Sequence, residues 1–166
     1  MVDVYEISAI VAAVGVLVGV AYYILDMRNQ ARTRQTDMVL RLYSTFSSEE
    51  FQITLAQIDN LKFQNTDDFL QKYGSKVNAE VWGKWQSVAA FFEQVGVLLH
   101  RKLINISLVD DLLTTDVKQQ WERMAPVILD IRKRLDSPQI WEWFEYLYNE
   151  MKKREQKRQQ VGVKNA

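Results

Sequence analysis

Residues 7–25 read ISAIVAAVGVLVGVAYYIL, nineteen positions between Glu6 and Asp26 without one charge. Wound as a helix at about 1.5 Å per residue, the stretch spans roughly 28 Å, close to the hydrocarbon thickness of a bilayer. Tyr22 and Tyr23 fall at one end, where amphipathic rings favour the headgroup level. A core helix in a small domain normally keeps a polar face, and this stretch has none. A cleaved signal peptide would start with bases, whereas Asp3 and Glu6 are the only charges ahead of the run. No small-x-small cleavage site precedes Tyr22. The stretch is expected to stay in place as a single membrane span.

The flanks set an expected orientation. Two acids and no base stand on the N-terminal side, while Arg28, Arg32, Arg34 and Arg41 follow on the other. The excess of bases places the segment after residue 25 in the cytoplasm and residues 1–6 outside the cell membrane. Within the span, Ser8, Ala12, Gly15 and Gly19 recur at spacings of three and four. Such a stripe of small side chains lets two helix backbones approach closely. It is the expected contact with a second copy of the chain or with another membrane protein.

Beyond the span, residues 26–37 (DMRNQARTRQTD) are polar and basic, with no apolar stripe. They are expected to continue the membrane helix as a stalk. A helical face then begins at Met38, Val39, Leu42, Tyr43 and Phe46. Ser47 with Glu50 has the form of a capping box and should open a helix over Phe51, Leu55 and Ile58. Asn65, Thr66 and Asp67 offer another start, and Gly74 a stop, around Phe69, Leu70 and Tyr73.

From about residue 78 to 103, Trp85, Val88, Ala89, Phe92, Val95, Gly96, Leu99 and Leu103 recur at helical spacing. The middle of this segment is apolar on nearly every side, which predicts a central helix with Phe92 and Leu99 almost fully buried. Ser107 with Asp110 predicts a short helix, and Thr114 or Thr115 a cap for another reaching about Leu135 and kinked at Pro126. Asp136-Ser137-Pro138 predicts the start of the last helix, through Ile140, Phe144, Leu147, Tyr148 and Met151. No alternating strand pattern or hairpin dipeptide occurs. The expected fold is all-α: one N-terminal membrane helix, a stalk, a multi-helix bundle over 38–151 and a basic tail over 152–166.

Composition narrows the chemistry. The chain has 166 residues, 48% apolar and 25% charged, proportions that exclude wholesale disorder. Cysteine is absent, which removes disulfides, thiolate metal sites and cysteine nucleophiles. His100 is the one imidazole and is expected at the edge of a packed helix. The net charge is zero, which argues against nucleic acid as a partner. That zero hides an asymmetry: residues 28–41 total +3, residues 42–150 total −5 and residues 151–166 total +5.

Few groups are left to carry chemistry. Asp67-Asp68 and Asp110-Asp111 each follow a plausible helix start, where negative charge complements the helix dipole, and are expected to cap rather than to bind metal. No P-loop, EF-hand, HExxH motif or dinucleotide fingerprint is present. No cofactor, metal or catalytic residue is expected. Lys152, Lys153, Arg154, Lys157 and Arg158 form a basic cluster that, with Arg28, Arg32 and Arg34, would suit anionic lipid. The aromatics of the last helix surround it, so Trp141, Trp143 and Tyr146 are expected to face a partner.

Three stretches carry a wider likeness: RLYSTFSSEEF (41–51), FFEQVGVLLHRKLI (91–104) and WEWFEYLY (141–148). Through them the chain resembles a broad family of small, uncharacterised prokaryotic proteins with one N-terminal membrane helix and a helical cytoplasmic domain. The resemblance implies no activity, cofactor or site residue. The expected role is that of a non-enzymatic interaction or scaffold protein, or an accessory subunit of a membrane complex. A tethered sensory domain holding a small ligand in its bundle is the alternative.

Overall fold

A computed structural model describes residues 3–164. Residues 1 and 2 of the expected outer segment, and 165 and 166 of the basic tail, lie outside them. The described chain is all-helical: α1 (Val4–Phe46), α2 (Glu49–Asp59), α3 (Thr66–Tyr73), α4 (Ala79–His100), α5 (Ile106–Leu135) and α6 (Glu142–Lys164).

The apolar segment, the stalk and the first bundle-facing residues are one uninterrupted helix, α1. This helix is long and apolar enough to cross a membrane, and nothing in its most apolar window is buried. Among its described side chains, those of the last turns join the core, through Val39, Leu42 and Phe46. The Phe46 ring lies 5.8 Å from Phe91 of α4, and the Gln35 side-chain amide donates to the Lys102 carbonyl just beyond α4, at 3.3 Å. Eleven residues on each helix separate these contacts, so α4 runs antiparallel to the end of α1. Its C-terminus therefore points back along the stalk.

α4 is the centre, as its periodicity predicts. Val88, Ala89, Phe92 and Val95 are fully buried and Leu99 nearly so. Burial of each large side chain contributes about 1.5–3 kcal/mol. α4 shares its largest interface with α6; α5 closes against α6, α3 and α1, while α2 bridges α1 and α4. Gly96 allows the closest approach: a Cβ there would lie 2.0 Å from the Trp143 carbonyl oxygen of α6.

Local caps explain the boundaries that the sequence predicts well. Asn65 and Asn78 accept from the backbone N–H groups of Asp68 and Val81, and Gly74 ends α3. Three boundaries need correction. The cap of α2 is Ser48, which accepts from the Phe51 N–H, while Ser47 still bonds back to Tyr43 as part of the α1 exit. The short helix expected from Ser107 and the longer one expected from Thr114 or Thr115 to about Leu135 are a single helix, α5, capped by Asn105. Thr114 does not cap because its hydroxyl donates to the Asp110 carbonyl one turn back, which satisfies it inside the helix. α5 also passes through Pro126 unbroken.

The third correction is the start of α6. Asp136 is spent on ending α5: it sits at φ 48°, and the N–H of Ser137 reaches the Arg132 carbonyl in a Schellman closure. Residues 138–141 form turns, and Trp141, at φ 56°, still breaks the helical path. The helix begins at Glu142, four residues after Pro138. Its cap is tertiary: Glu93 of α4 accepts from the Phe144 N–H at 2.7 Å.

Candidate functional site

The surfaces fall into three groups. On the apolar part of α1, the Ser8 hydroxyl donates to the Tyr5 carbonyl at 2.9 Å, one turn back. Ser8, Ala12, Gly15 and Gly19 are all exposed, and a Cβ at either glycine would meet nothing within 4 Å. The small-residue stripe is thus open along its length.

The second group is basic. Arg28, Arg32 and Arg34 are exposed on the stalk, without ion-pair partners among the described residues. The bases of α6 divide. Arg154 and Arg158 both reach Asp110, at 2.7 and 2.5 Å, and Arg154 also donates to the Ser107 hydroxyl. Lys153 pairs with Glu150, and Lys152 lies over the Tyr148 ring, while Lys157 is exposed and has no ion-pair partner among the described residues. Two of the five tail bases expected to meet lipid are therefore tied into the bundle.

Asp110 itself departs from its expected capping role. It lies in the second turn of α5, and its side chain is 1% exposed. Burial pushes its carboxyl upward, but hydrogen bonds from Thr114 and Arg154 and the charges of both arginines hold it below the usual carboxylate range. It locks α6 onto the start of α5. Asp67 and Asp68, by contrast, do occupy the first turn of α3, with Asp67 paired to Arg134 and Asp68 to Lys72. Among the described residues, no group of three or more His, Asp or Glu could hold a metal ion.

The third group is aromatic, and the structure separates the three residues grouped by sequence. Trp143 and Tyr146 are half-buried around His100, with ring centroids 4.3 and 5.3 Å from the imidazole. His100 is thus at a helix edge against aromatic faces. Trp141 lies elsewhere, lining a surface groove of about 360 Å³ with Leu70, Trp82, Ile131, Leu135 and Ile140. The Arg134 guanidinium at its edge is already engaged by Asp67 and Asp130. The groove is therefore apolar, with no free charge of its own. Its Trp82 and Trp85 walls stack at 5.6 Å. The left-handed backbone of Trp141 costs about 1–3 kcal/mol for so bulky a residue.

Sequence reasoning missed Arg101 and Lys102 as surface features. Both are exposed in the α4–α5 turn beside Gln35 of the stalk. The antiparallel course of α4 brings them to the stalk, which lies more than sixty residues earlier in the chain.

Residues 9–151 match the family described as a domain of unknown function, DUF4760. No curated protein and no solved structure matches the chain. The match runs from inside the apolar segment of α1 to the buried Met151 of α6, so it takes in the helix and the bundle together. By that extent the chain belongs to the DUF4760 family, whose function is not established.

Proposed function

We propose that this is a single-pass protein of a prokaryotic cell membrane, with its N-terminus outside and a non-catalytic helical bundle in the cytoplasm. The bundle serves as an interaction or scaffold module, or as an accessory subunit of a membrane complex. One observation carries the reading. A charge-free helical segment of nineteen residues, with no buried side chain in it, runs without a break into a well-packed bundle. Apolar surface on that scale is not left in water by a monomer. The arginines that follow it support the orientation.

The open stripe through Ser8, Ala12, Gly15 and Gly19 supports pairing with a second copy or with another spanning helix. Lipid tails are as apolar as the side chains, so close backbone packing must supply the attraction. The apolar groove at Trp141 supports the interaction reading over a sensor of polar metabolites, since it offers apolar walls and a charge already neutralised.

Alkaline extraction of native membranes tests the anchor: the chain should stay with the bilayer, and release into the supernatant would overturn it. A reporter active only in the cytoplasm should work when fused after Ala166; activity of a periplasmic reporter there would reverse the orientation. Gly15→Ile and Gly19→Ile should weaken pairing in a membrane two-hybrid assay, while Val16→Ile should not. Equal behaviour of all three would leave no role for the stripe.

A further inference from the structure

We propose that the end of the bundle beside the stalk is a docking face for an anionic bilayer surface; this rests on the membrane reading of α1. Three parts of the chain converge there. The Gln35 amide ties the stalk to the α4–α5 turn through the Lys102 carbonyl. Arg154 and Arg158 tie the C-terminal half of α6 to Ser107 and Asp110, at the start of α5 just past that turn. Stalk, turn and tail therefore share one end of the molecule.

That end is close enough to the bilayer to feel its charge. Ten residues of helix from the end of the apolar segment to Gln35 amount to about 15 Å. Headgroups fill roughly 5–7 Å of that distance. The remaining gap is close to the Debye length of about 8 Å at physiological salt, and a lysine or arginine side chain reaches across most of it.

The net charge there is positive. Arg28, Arg32, Arg34, Arg101, Lys102 and Lys157 are exposed and make no ion pair among the described residues. Asp26, which accepts from Gln30, and Asp37 are the acids on the stalk itself. Asp110 and Asp111 are matched by Arg154 and Arg158. The face is thus positive after its internal pairs are formed. Those pairs give Arg154 and Arg158 a different task, holding the C-terminal half of α6, with the exposed Lys157, against the start of α5. Anionic lipid would hold the bundle upright against the membrane; on neutral lipid the single-helix stalk is the sole link.

The chain has no cysteine, so Gln160→Cys provides a unique labelling site on an exposed position near the end of α6. The full chain, carrying a donor dye there, is placed in nanodiscs with an acceptor dye on the headgroups. Energy transfer should be higher in discs containing phosphatidylglycerol than in pure phosphatidylcholine discs. The difference should vanish when salt is raised to about 0.5 M, where screening acts within about 4 Å. It should also fall at least twofold when Arg101→Gln and Lys102→Gln are combined, two exposed changes outside the core. Equal transfer in the two kinds of disc at low salt overturns the docking face while leaving the span intact. A chain that enters neither kind of disc overturns the span, and the docking face with it.

Discussion

Residues 7–25 and the middle of α4 both carry long apolar runs, yet one is bare and the other lies at the centre of the bundle. Along the first, no side chain is buried; along the second, Val88, Ala89, Phe92 and Val95 are sealed from solvent. The difference is in what each helix offers a neighbour. α4 carries Phe91 and Phe92, which pack against Phe46 and Phe144, and Gly96, which admits the α6 backbone. The α1 segment carries Ala, Val and Gly with nothing aromatic until Tyr22, a surface suited to lipid tails or to another helix like itself. The two helices are thus sorted by charge as well as by shape: α4 carries Glu80, Lys84 and Glu93 and packs against aromatic partners, while the segment carries no charge and meets none of them.

The largest expected effect separates these two helices directly. Phe92 is fully buried, with Phe144 stacked 4.9 Å away. Phe92→Ala should cost about 3–5 kcal/mol in chemical unfolding of the bundle, through lost burial and a cavity. Leu17→Ala, on the bare segment, should leave the same transition where it is. Similar shifts in the two variants would mean that the segment contributes to the core.

The glycines sharpen the contrast. Gly96→Ala puts a methyl against the Trp143 carbonyl and should destabilise the bundle by about 1–3 kcal/mol as α4 and α6 are forced apart. Gly15→Ala and Gly19→Ala meet open space and should leave bundle stability unchanged. An unaffected melt for Gly96→Ala would show that the two helices are not in close backbone contact.

Asp110 gives a pH test of how the bundle is closed. Its folded carboxyl titrates below the ordinary value of 3.8, so its stabilisation is present above that value and lost as pH falls through the folded one. Glu93 acts in the opposite sense: burial raises its carboxyl, so it costs stability once pH rises above its unfolded value of 4.5. Asp110→Asn should lower stability at neutral pH by about 1–3 kcal/mol, because two arginines lose their charged partner. The gap from wild type should shrink below pH 3.8. A gap independent of pH would assign the loss to packing instead of charge.

The smallest expected effect completes the comparison. A chain lacking residues 1–25 should unfold with a bundle stability within about 0.5 kcal/mol of the full chain, since residues 7–25 bury no side chain in the core. A larger loss would mean that the bare helix supports the bundle after all.

How much of this was legible in sequence varies by element. α3 was readable at both ends and α4 at its start, because their start signals are side chains bonding three residues on, from Asn65 and Asn78. α4 ends at His100 and leaves Leu103, expected in its apolar stripe, exposed in the turn. α5 was misread because a threonine looks like a cap wherever it stands; only the bond from Thr114 to the Asp110 carbonyl shows that it continues the helix. α6 was misplaced because Asp136 could begin one helix or end another, and the Schellman closure to Arg132 decided for the end. Among the surface residues, the open state of Arg28, Arg32 and Arg34 agreed with their polar surroundings. The capture of Arg154 and Arg158 did not, because their partner stands more than forty residues earlier in the chain.

By itself the sequence determined the helical class, the uncharged segment able to cross a bilayer, and the buried stripe of α4. Each follows from periodicity or from an absence of charge within a few turns, and such local patterns survive whatever the rest of the chain does. Tertiary structure alone decided that Glu93 caps α6, that Asp110 takes two tail arginines, and that Arg101 and Lys102 stand beside the stalk. Those arrangements join residues separated by more than forty positions. Their partners are selected by the direction in which each helix packs, and that direction is set by where the apolar faces meet and by the one glycine that lets α4 and α6 touch.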